Sequence, residues 1–235
     1  MAELVLPQLT SLADIPKKIS EIVAWTVAHP VEDHIYYFPA PENDRSIGKL
    51  VELRNQIGYV AGSAALERYL DLPRSAHSRN WKATDVDLFF VNQGFYNRYS
   101  GGLIDIVQVE DKTIEELLES FDLPVCRVAH NFAMDFWVSI QALAAIHTRR
   151  QNVPLYLKDR PTFIETLKKH VTYEDEKDET KHAVLYTRFA DRIKKYQTRR
   201  YGVNWIETDI IIPWVKKRFH YGEWDKNEAA TENPS

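Results

Sequence analysis

The chain has 235 residues, of which 44% are hydrophobic and 27% charged, with a formal net charge of -4 at pH 7. This composition is typical of a globular protein, and the negative net charge excludes attraction to nucleic acid through overall charge. The single cysteine excludes an internal disulfide and a cysteine-based zinc site. We expect a soluble cytoplasmic protein without membrane contact, because no apolar stretch reaches the ~20 residues of a membrane span and the N-terminus lacks a signal-peptide pattern.

The first part of the chain is predicted to be mixed helix and strand. Helical apolar spacing, breaks at proline and glycine, and short apolar runs define the elements. In chain order they are a helix over 10–28, a loop over 30–47, a helix over 49–57, a strand over 59–61, a helix over 64–70, a polar loop over 71–84, strands over 86–91 and 103–109, a helix over 113–119 and a strand over 123–129.

The second part is predicted to be helical. Its helices cover 136–147, 162–171, 184–200 and 206–219, with an acidic turn at 174–179. The fold class is therefore α/β (α+β), with a small mixed sheet flanked by helices and a helical C-terminal region. The predicted units are an N-terminal helix and loop (1–44), a core (45–131), the helical region (132–222) and a disordered tail (223–235).

Three aspartates in two apolar strands are the candidate catalytic and metal-binding residues. Asp85 and Asp87 are two residues apart and therefore project from one face of a strand, and Asp105 is flanked by Ile104 and Ile106 in the next. A carboxylate within an apolar strand is costly without a partner, and three together repel one another. A divalent cation relieves that repulsion, and Mg²⁺ prefers such oxygen ligands, with Mn²⁺ as the alternative.

A glycine-serine turn lies upstream of these strands. Gly62 allows close approach of the backbone to a phosphate, and Ser63 offers a hydroxyl and an N–H. The following helix directs its positive N-terminus to the same place. We therefore predict that Gly62 and Ser63 bind the phosphates of a nucleotide.

A basic helix and a fourth acid complete the candidate site. Arg188, Arg192, Lys195 and Arg199 share one helical face, and we assign Arg192 and Lys195 to nucleotide binding. The alternative is a solvated face paired with the acidic turn at 174–179. Asp122 competes with Asp105 for the role of third carboxylate, although turn formation before Pro124 also explains Asp122.

The segments AGSAALERYL, WKATDVDLFF and GLIDIVQV resemble the nucleotidyltransferase fold of the DNA polymerase beta superfamily, whose pattern is hG[GS], [DE]h[DE]h and h[DE]h. They look closest to divergent members from large DNA viruses, phages and fungi, which continue with segments like SFDLPVCRVAHN and RFADRIKKYQTRRYG. The resemblance spans roughly residues 50 to 205. It implies that Asp85 and Asp87 bind both of two divalent metal ions and that Asp105 helps to activate the attacking hydroxyl. It also implies that the glycine-serine turn holds the triphosphate.

One departure is the spacing, because Ser63 lies 22 residues before Asp85 and many members have a shorter gap. The excess is the loop over 71–84, which contains Arg74, His77, Arg79 and Lys82 and is either an inert insertion or a basic flap.

The predicted reaction is transfer of a nucleoside monophosphate from an NTP such as ATP to an acceptor hydroxyl, with release of pyrophosphate. An RNA 3′ end, a protein side chain and a second nucleotide all stay open as acceptor. One alternative is an inactive protein of the same fold that binds nucleotide, nucleic acid or a protein partner, for instance in a toxin–antitoxin pair. Another is a nucleic-acid-binding protein that uses the basic helix alone.

Overall fold

The computed structural model describes residues 4–40, 58–72, 80–91, 97–101, 103–109, 112–170 and 179–208. The strands in these ranges are β1 (Ile35–Phe38), β2 (Tyr59–Ala61), β3 (Val86–Val91), β4 (Asn97–Gly101), β5 (Ile104–Val109), β6 (Val128–His130), β7 (Phe136–Ser139), β8 (Arg150–Pro154) and β9 (Gly202–Ile206). The helices are α1 (Ile15–Ala28), α2 (Ser63–Leu70), α3 (Ile114–Glu119), α4 (Ile140–Thr148), α5 (Arg160–His170) and α6 (Glu179–Thr198). None of the helices in the described ranges is long and apolar enough to span a membrane.

Seven of the described strands form one mixed sheet in the order β1-β7-β6-β2-β3-β5-β4. Neighbouring strands are antiparallel, except that β3 and β5 run parallel. Because β4 lies outside β5, strands β3 and β5 are direct neighbours and begin at the same edge of the sheet. Strands β8 and β9 form a separate parallel pair. The mixed α/β class predicted from the sequence is confirmed.

The sheet and the surrounding helices share a continuous hydrophobic core. Buried side chains from α1, α2, β7, α4 and α6 belong to one cluster, which includes Ile22, Leu66, Phe136, Leu143 and Phe189. A smaller cluster joins α3 to the opposite face of the central strands. The core therefore packs α6, which carries the predicted basic residues, against the elements around the sheet.

The sheet extends beyond the predicted core range of 45–131 at both ends. Strand β1 lies within the predicted loop over 30–47, and β7 occupies the start of the predicted helix over 136–147, so both predictions are wrong there. The two strands pair with each other, from Ile35 opposite Ser139 to Phe38 opposite Phe136. Ser139 then caps α4, because its side chain accepts a hydrogen bond from the N–H of Ala142.

Two other boundaries differ from the predictions for local reasons. The Asp14 carboxylate accepts hydrogen bonds from the backbone and hydroxyl groups of Thr10 and Ser11, so residues 10–14 form a turn and α1 begins at Ile15. The predicted strand over 123–129 is a short 3₁₀ turn, Pro124–Cys126, followed by β6. The strands over 59–61 and 86–91 and the helices over 64–70, 113–119 and 162–171 are confirmed within a few residues at each end.

The helical prediction for the C-terminal half is only partly confirmed. The basic helix over 184–200 corresponds to α6, which begins earlier, at Glu179. Strands β8 and β9 were not predicted, and Ile206 ends β9 rather than beginning a helix. The predicted helix over 49–57, residues 209–219 of the predicted last helix and the predicted tail lie outside the described residues.

Candidate active site

The register of the central strands brings two of the predicted aspartates together. Asp87 on β3 lies opposite Asp105 on the parallel strand β5, and opposite Ala61 on the antiparallel strand β2. Ala61, Asp87 and Asp105 therefore form one row across three neighbouring strands, and Gly62 immediately follows the first of them. Both carboxylates are partly exposed, as accessible ligands need to be.

Asp85 lies at the entrance to β3 and pairs with α6. Its Oδ1 accepts a hydrogen bond of 2.9 Å from the Thr84 hydroxyl and lies 3.6 Å from Nζ of Lys195. The side chains of Asp85 and Lys195 remain 44% and 38% exposed, respectively, so water screens their attraction. Lys195, which the sequence assigned to nucleotide binding, thus contacts a predicted metal ligand.

The predicted phosphate-binding turn has a backbone that favours glycine. Gly62 has φ 73° and ψ -136°, and α2 begins directly after it, at Ser63, without a side-chain cap. A Cβ at Gly62 would lie 3.8 Å from Oδ2 of Asp87 and 3.6 Å from Cε2 of Phe121. The N-terminus of α2, which is the positive end of the helix dipole, therefore begins beside Asp87.

The two predicted phosphate ligands offer different groups. The N–H of Gly62 donates to the Val128 carbonyl over 3.1 Å, so this amide stabilises the turn. Ser63 is the first residue of α2, and the first N–H groups of a helix have no carbonyl partner within it. Ser63 as a whole residue is only 8% exposed. The backbone N–H groups at the start of α2 are thus the better anion donors.

Asp122 is buried and is bound to α6. Its side chain is 7% exposed, its Oδ2 lies 2.7 Å from Nη2 of Arg192, and its Oδ1 accepts a hydrogen bond from the Leu123 N–H. Arg192, the other basic residue assigned to nucleotide binding, therefore neutralises a buried acid. This ion pair fixes α6 beside the segment that follows α3.

Two contacts hold the segment that leads into β3. The Arg199 guanidinium lies over the Trp81 ring, 4.1 Å from its centroid, and Arg199 is only 6% exposed. The backbone N–H of Ala83 donates to the Glu67 carboxylate of α2. Helix α2 and Arg199, which directly follows α6, thus fix the chain a few residues before Asp85. The sequence alone does not indicate these roles of Trp81 and Glu67, and its only signal is the position of the tryptophan just before the Asp-x-Asp strand.

The carboxylates of Asp87 and Asp105 suit a divalent cation whose other ligands come from substrate phosphates and water. Among the residues described, no three histidine, cysteine, aspartate or glutamate side chains lie close enough together to hold a metal ion. Mg²⁺ does not require such a set, because one or two carboxylates, substrate phosphates and water complete its octahedron. Asp87 and Asp105, as direct neighbours, provide two hard oxygen ligands of this type.

The surroundings of Cys126 and His130 indicate structural roles for both residues. Cys126 is buried, and burial, together with the nearby Asp122 charge, raises the pKa of its thiol to about 12, which excludes an activated nucleophile. His130 Nδ1 lies 2.9 Å from the Asn131 carbonyl oxygen, and burial lowers the pKa of the imidazole. Lys82 is exposed, whereas Arg74, His77 and Arg79 lie outside the described residues.

No protein-family model and no curated protein matches the sequence. Two solved structures are distantly similar to the chain. A "tRNA-processing enzyme (apo form I)" has 13% identity and a TM-score of 0.35, over 72% of this chain and 46% of its own. A Thermotoga maritima CCA-adding enzyme complexed with tRNA has 14% identity and a TM-score of 0.32, over 67% of this chain and 43% of its own. The chain thus spans less than half the length of either protein.

Proposed function

We propose that this protein is a metal-dependent nucleotidyltransferase that transfers a nucleoside monophosphate from an NTP to an acceptor hydroxyl, with cleavage of the bond between the α- and β-phosphates and release of pyrophosphate. The observation that carries the proposal is the register of Asp87 with Asp105, directly beside the Gly62 turn at the start of α2. Two carboxylates and a helix N-terminus at one place suit a cation and a polyphosphate together. A carboxylate pair without the anion-binding turn would support metal binding alone.

Each group of the site has a distinct role in this proposal. Asp87 and Asp105 hold a divalent cation, which, when bound, neutralises charge on the phosphoryl group. Asp105 also orients the acceptor hydroxyl and accepts its proton. The N–H groups at the start of α2 orient the triphosphate. Catalysis then consists of positioning and charge neutralisation, without a covalent enzyme intermediate.

The proposal is tested by incubating the protein with α-labelled NTPs, Mg²⁺ or Mn²⁺, and pools of RNA, protein or nucleotide as acceptor. We expect label to enter one pool, with each of Asp87→Asn and Asp105→Asn reducing the rate at least about 100-fold, as loss of a principal transition-state contact does. Asp191→Asn is the matched control, because it makes the same change at an exposed position of α6.

The outcomes separate the competing functions. Transfer that survives both substitutions would refute the assignment of the site. Nucleotide binding without transfer to any pool would favour the inactive, nucleotide-binding form of the fold. The hypothesis of RNA binding through the basic helix alone is weakened by the contacts of Arg192 with Asp122 and of Arg199 with Trp81. These contacts engage, inside the protein, two of the four basic side chains predicted to share one helical face.

A further inference from the structure

We propose that Lys195 is an exchangeable counter-ion, which neutralises Asp85 in the unliganded protein and moves to the nucleotide phosphates when cation and nucleotide bind. This inference rests on the proposed function and extends it to the order in which charges are neutralised. Its starting point is the contact between Lys195 Nζ and Asp85 Oδ1, at 3.6 Å. That contact joins a residue predicted to bind nucleotide to one predicted to bind metal.

The contact has the properties of an ion pair that can exchange. At 3.6 Å it is longer than a close charge-assisted hydrogen bond, and both side chains are more than one-third exposed. Such pairs contribute little to stability, so a stronger cation displaces the ammonium at small cost. Lysine suits this role because its ammonium is a compact charge on a flexible stem and has no preferred planar partner.

The surroundings of the pair restrict the change to one side chain. Arg192, one turn earlier on α6, is anchored to the buried Asp122 at 2.7 Å. Arg199, one turn later, is buried against Trp81, and Glu67 holds the N–H of Ala83. The backbones on both sides of the pair are therefore fixed. Neither α6 nor the segment before β3 needs to move when Lys195 changes partner.

Charge balance gives the exchange its direction. A divalent cation held by Asp87 and Asp105 would repel an ammonium group on Asp85, which lies two residues before Asp87, and a triphosphate beside α2 would attract that group. Moving Lys195 from the carboxylate to the phosphates satisfies both interactions. Loss of the Lys195 charge should therefore strengthen cation binding to the unliganded protein and weaken nucleotide binding. A merely structural lysine would change both affinities in the same direction or change neither.

The test is calorimetric titration with Mn²⁺ alone, followed by titration with a non-hydrolysable ATP analogue at saturating Mn²⁺. For Lys195→Met we expect Mn²⁺ affinity to rise about two- to fivefold, the size of an exposed ion pair, and analogue affinity to fall about tenfold or more. Lys194→Met is the matched control, because it removes the same charge from the preceding residue of α6, which is exposed. It should leave both affinities near the wild-type values, and Lys195→Arg should retain wild-type Mn²⁺ affinity.

Unchanged or weaker Mn²⁺ binding in folded Lys195→Met would overturn the exchange, as would an equal effect of Lys194→Met. Asp87→Asn separates this failure from failure of the proposed function. If Asp87→Asn binds Mn²⁺ as tightly as the wild type, the proposed metal site itself is wrong. If it loses Mn²⁺ while Lys195→Met gains nothing, the metal site stands and only the exchange is refuted. Circular dichroism establishes that each variant is folded, and Lys195→Gln replaces the methionine variant if that one is not.

Discussion

Replacement of Gly62 by alanine tests the structural basis of the phosphate-binding turn. Gly62 has φ 73° and ψ -136°, a backbone conformation that side chains with a Cβ rarely adopt. A new Cβ would meet its nearest neighbours, Phe121 and Asp87, at 3.6 and 3.8 Å, which are ordinary van der Waals distances. The cost of Gly62→Ala therefore comes from backbone conformation and not from a clash.

The expected loss is about 1–3 kcal/mol of unfolding free energy, the usual cost of a residue held in a sparsely populated backbone region. Gly202 provides the matched comparison. A Cβ there would have its nearest contacts at 3.7 Å, much as at Gly62, but the backbone of Gly202 lies outside the positive-φ region. Gly202→Ala should consequently change stability by less than about 1 kcal/mol, and restriction of the unfolded chain makes a small gain possible.

Equilibrium unfolding in urea, followed by tryptophan fluorescence, measures both variants. The difference between them isolates the conformational term, because the added methyl group and its contact distances are nearly the same. Equal stability of Gly62→Ala and Gly202→Ala would refute the reasoning. It would mean that the turn relaxes to another conformation at no cost, and that glycine is not required before α2.

Three further predictions concern groups around the site. Arg127 and Asp33 form a 2.6 Å ion pair, and their side chains are 11% and 7% exposed, respectively. Arg127→Met should lower the unfolding free energy measured in urea by about 3–5 kcal/mol, because it leaves the buried Asp33 charge without this partner. Adding Asp33→Asn to that variant should recover part of the loss. Cys126 should resist iodoacetamide at neutral pH and react once urea unfolds the chain, because burial raises its pKa to about 12; rapid reaction of the folded protein would contradict this. Burial lowers the pKa of His130 below the ordinary 6.5. As the pH falls, the imidazole is therefore protonated in the unfolded chain before it is protonated in the folded one, and the unfolding free energy should decrease below pH 6.5. His130→Gln should show a smaller decrease.

The sequence was most informative where local pattern and chemistry coincide. The apolar run around Asp87, the glycine before an apolar helix and the i, i+2 spacing of two aspartates each predict structure without knowledge of distant partners. The resemblance to the nucleotidyltransferase fold predicts that these segments form one site. In the structure Asp87 lies opposite Asp105 on the neighbouring strand, and their joint role as ligands stays a prediction.

The sequence was least informative where an element depends on a distant segment. Strand β1 has only four residues and follows a polar, proline-containing stretch, so its pairing with β7, about 100 residues later, left no local signal. In β7 the apolar run continues into α4, which concealed the boundary that Ser139 marks as a cap. The partners of Arg192 and Lys195 were inaccessible for the same reason, because helical spacing gives the face of a side chain but not the acid opposite it.

The two candidates for the third carboxylate can be distinguished by their surroundings. Asp122 is 7% exposed, and Arg192 lies 2.7 Å from it, so recruitment of Asp122 to a metal would leave a partly buried guanidinium without this partner. Asp105 is partly exposed and lies beside Asp87 on the neighbouring strand. The two residues should therefore respond in opposite ways to the same chemical change.

Asp122→Asn should lower the unfolding free energy by about 2–4 kcal/mol, because it leaves Arg192 without its anionic partner, and should leave Mn²⁺ affinity near the wild-type value. Asp105→Asn should remove a ligand and weaken Mn²⁺ binding at least about tenfold, with little loss of stability, since relief of repulsion between neighbouring carboxylates offsets the lost contacts. Urea unfolding and Mn²⁺ calorimetry on both variants give a two-by-two comparison. If Asp122→Asn loses Mn²⁺ while Asp105→Asn keeps it, the third carboxylate is Asp122. In that case the Arg192 ion pair, rather than the Lys195 pair alone, must open before a cation can bind.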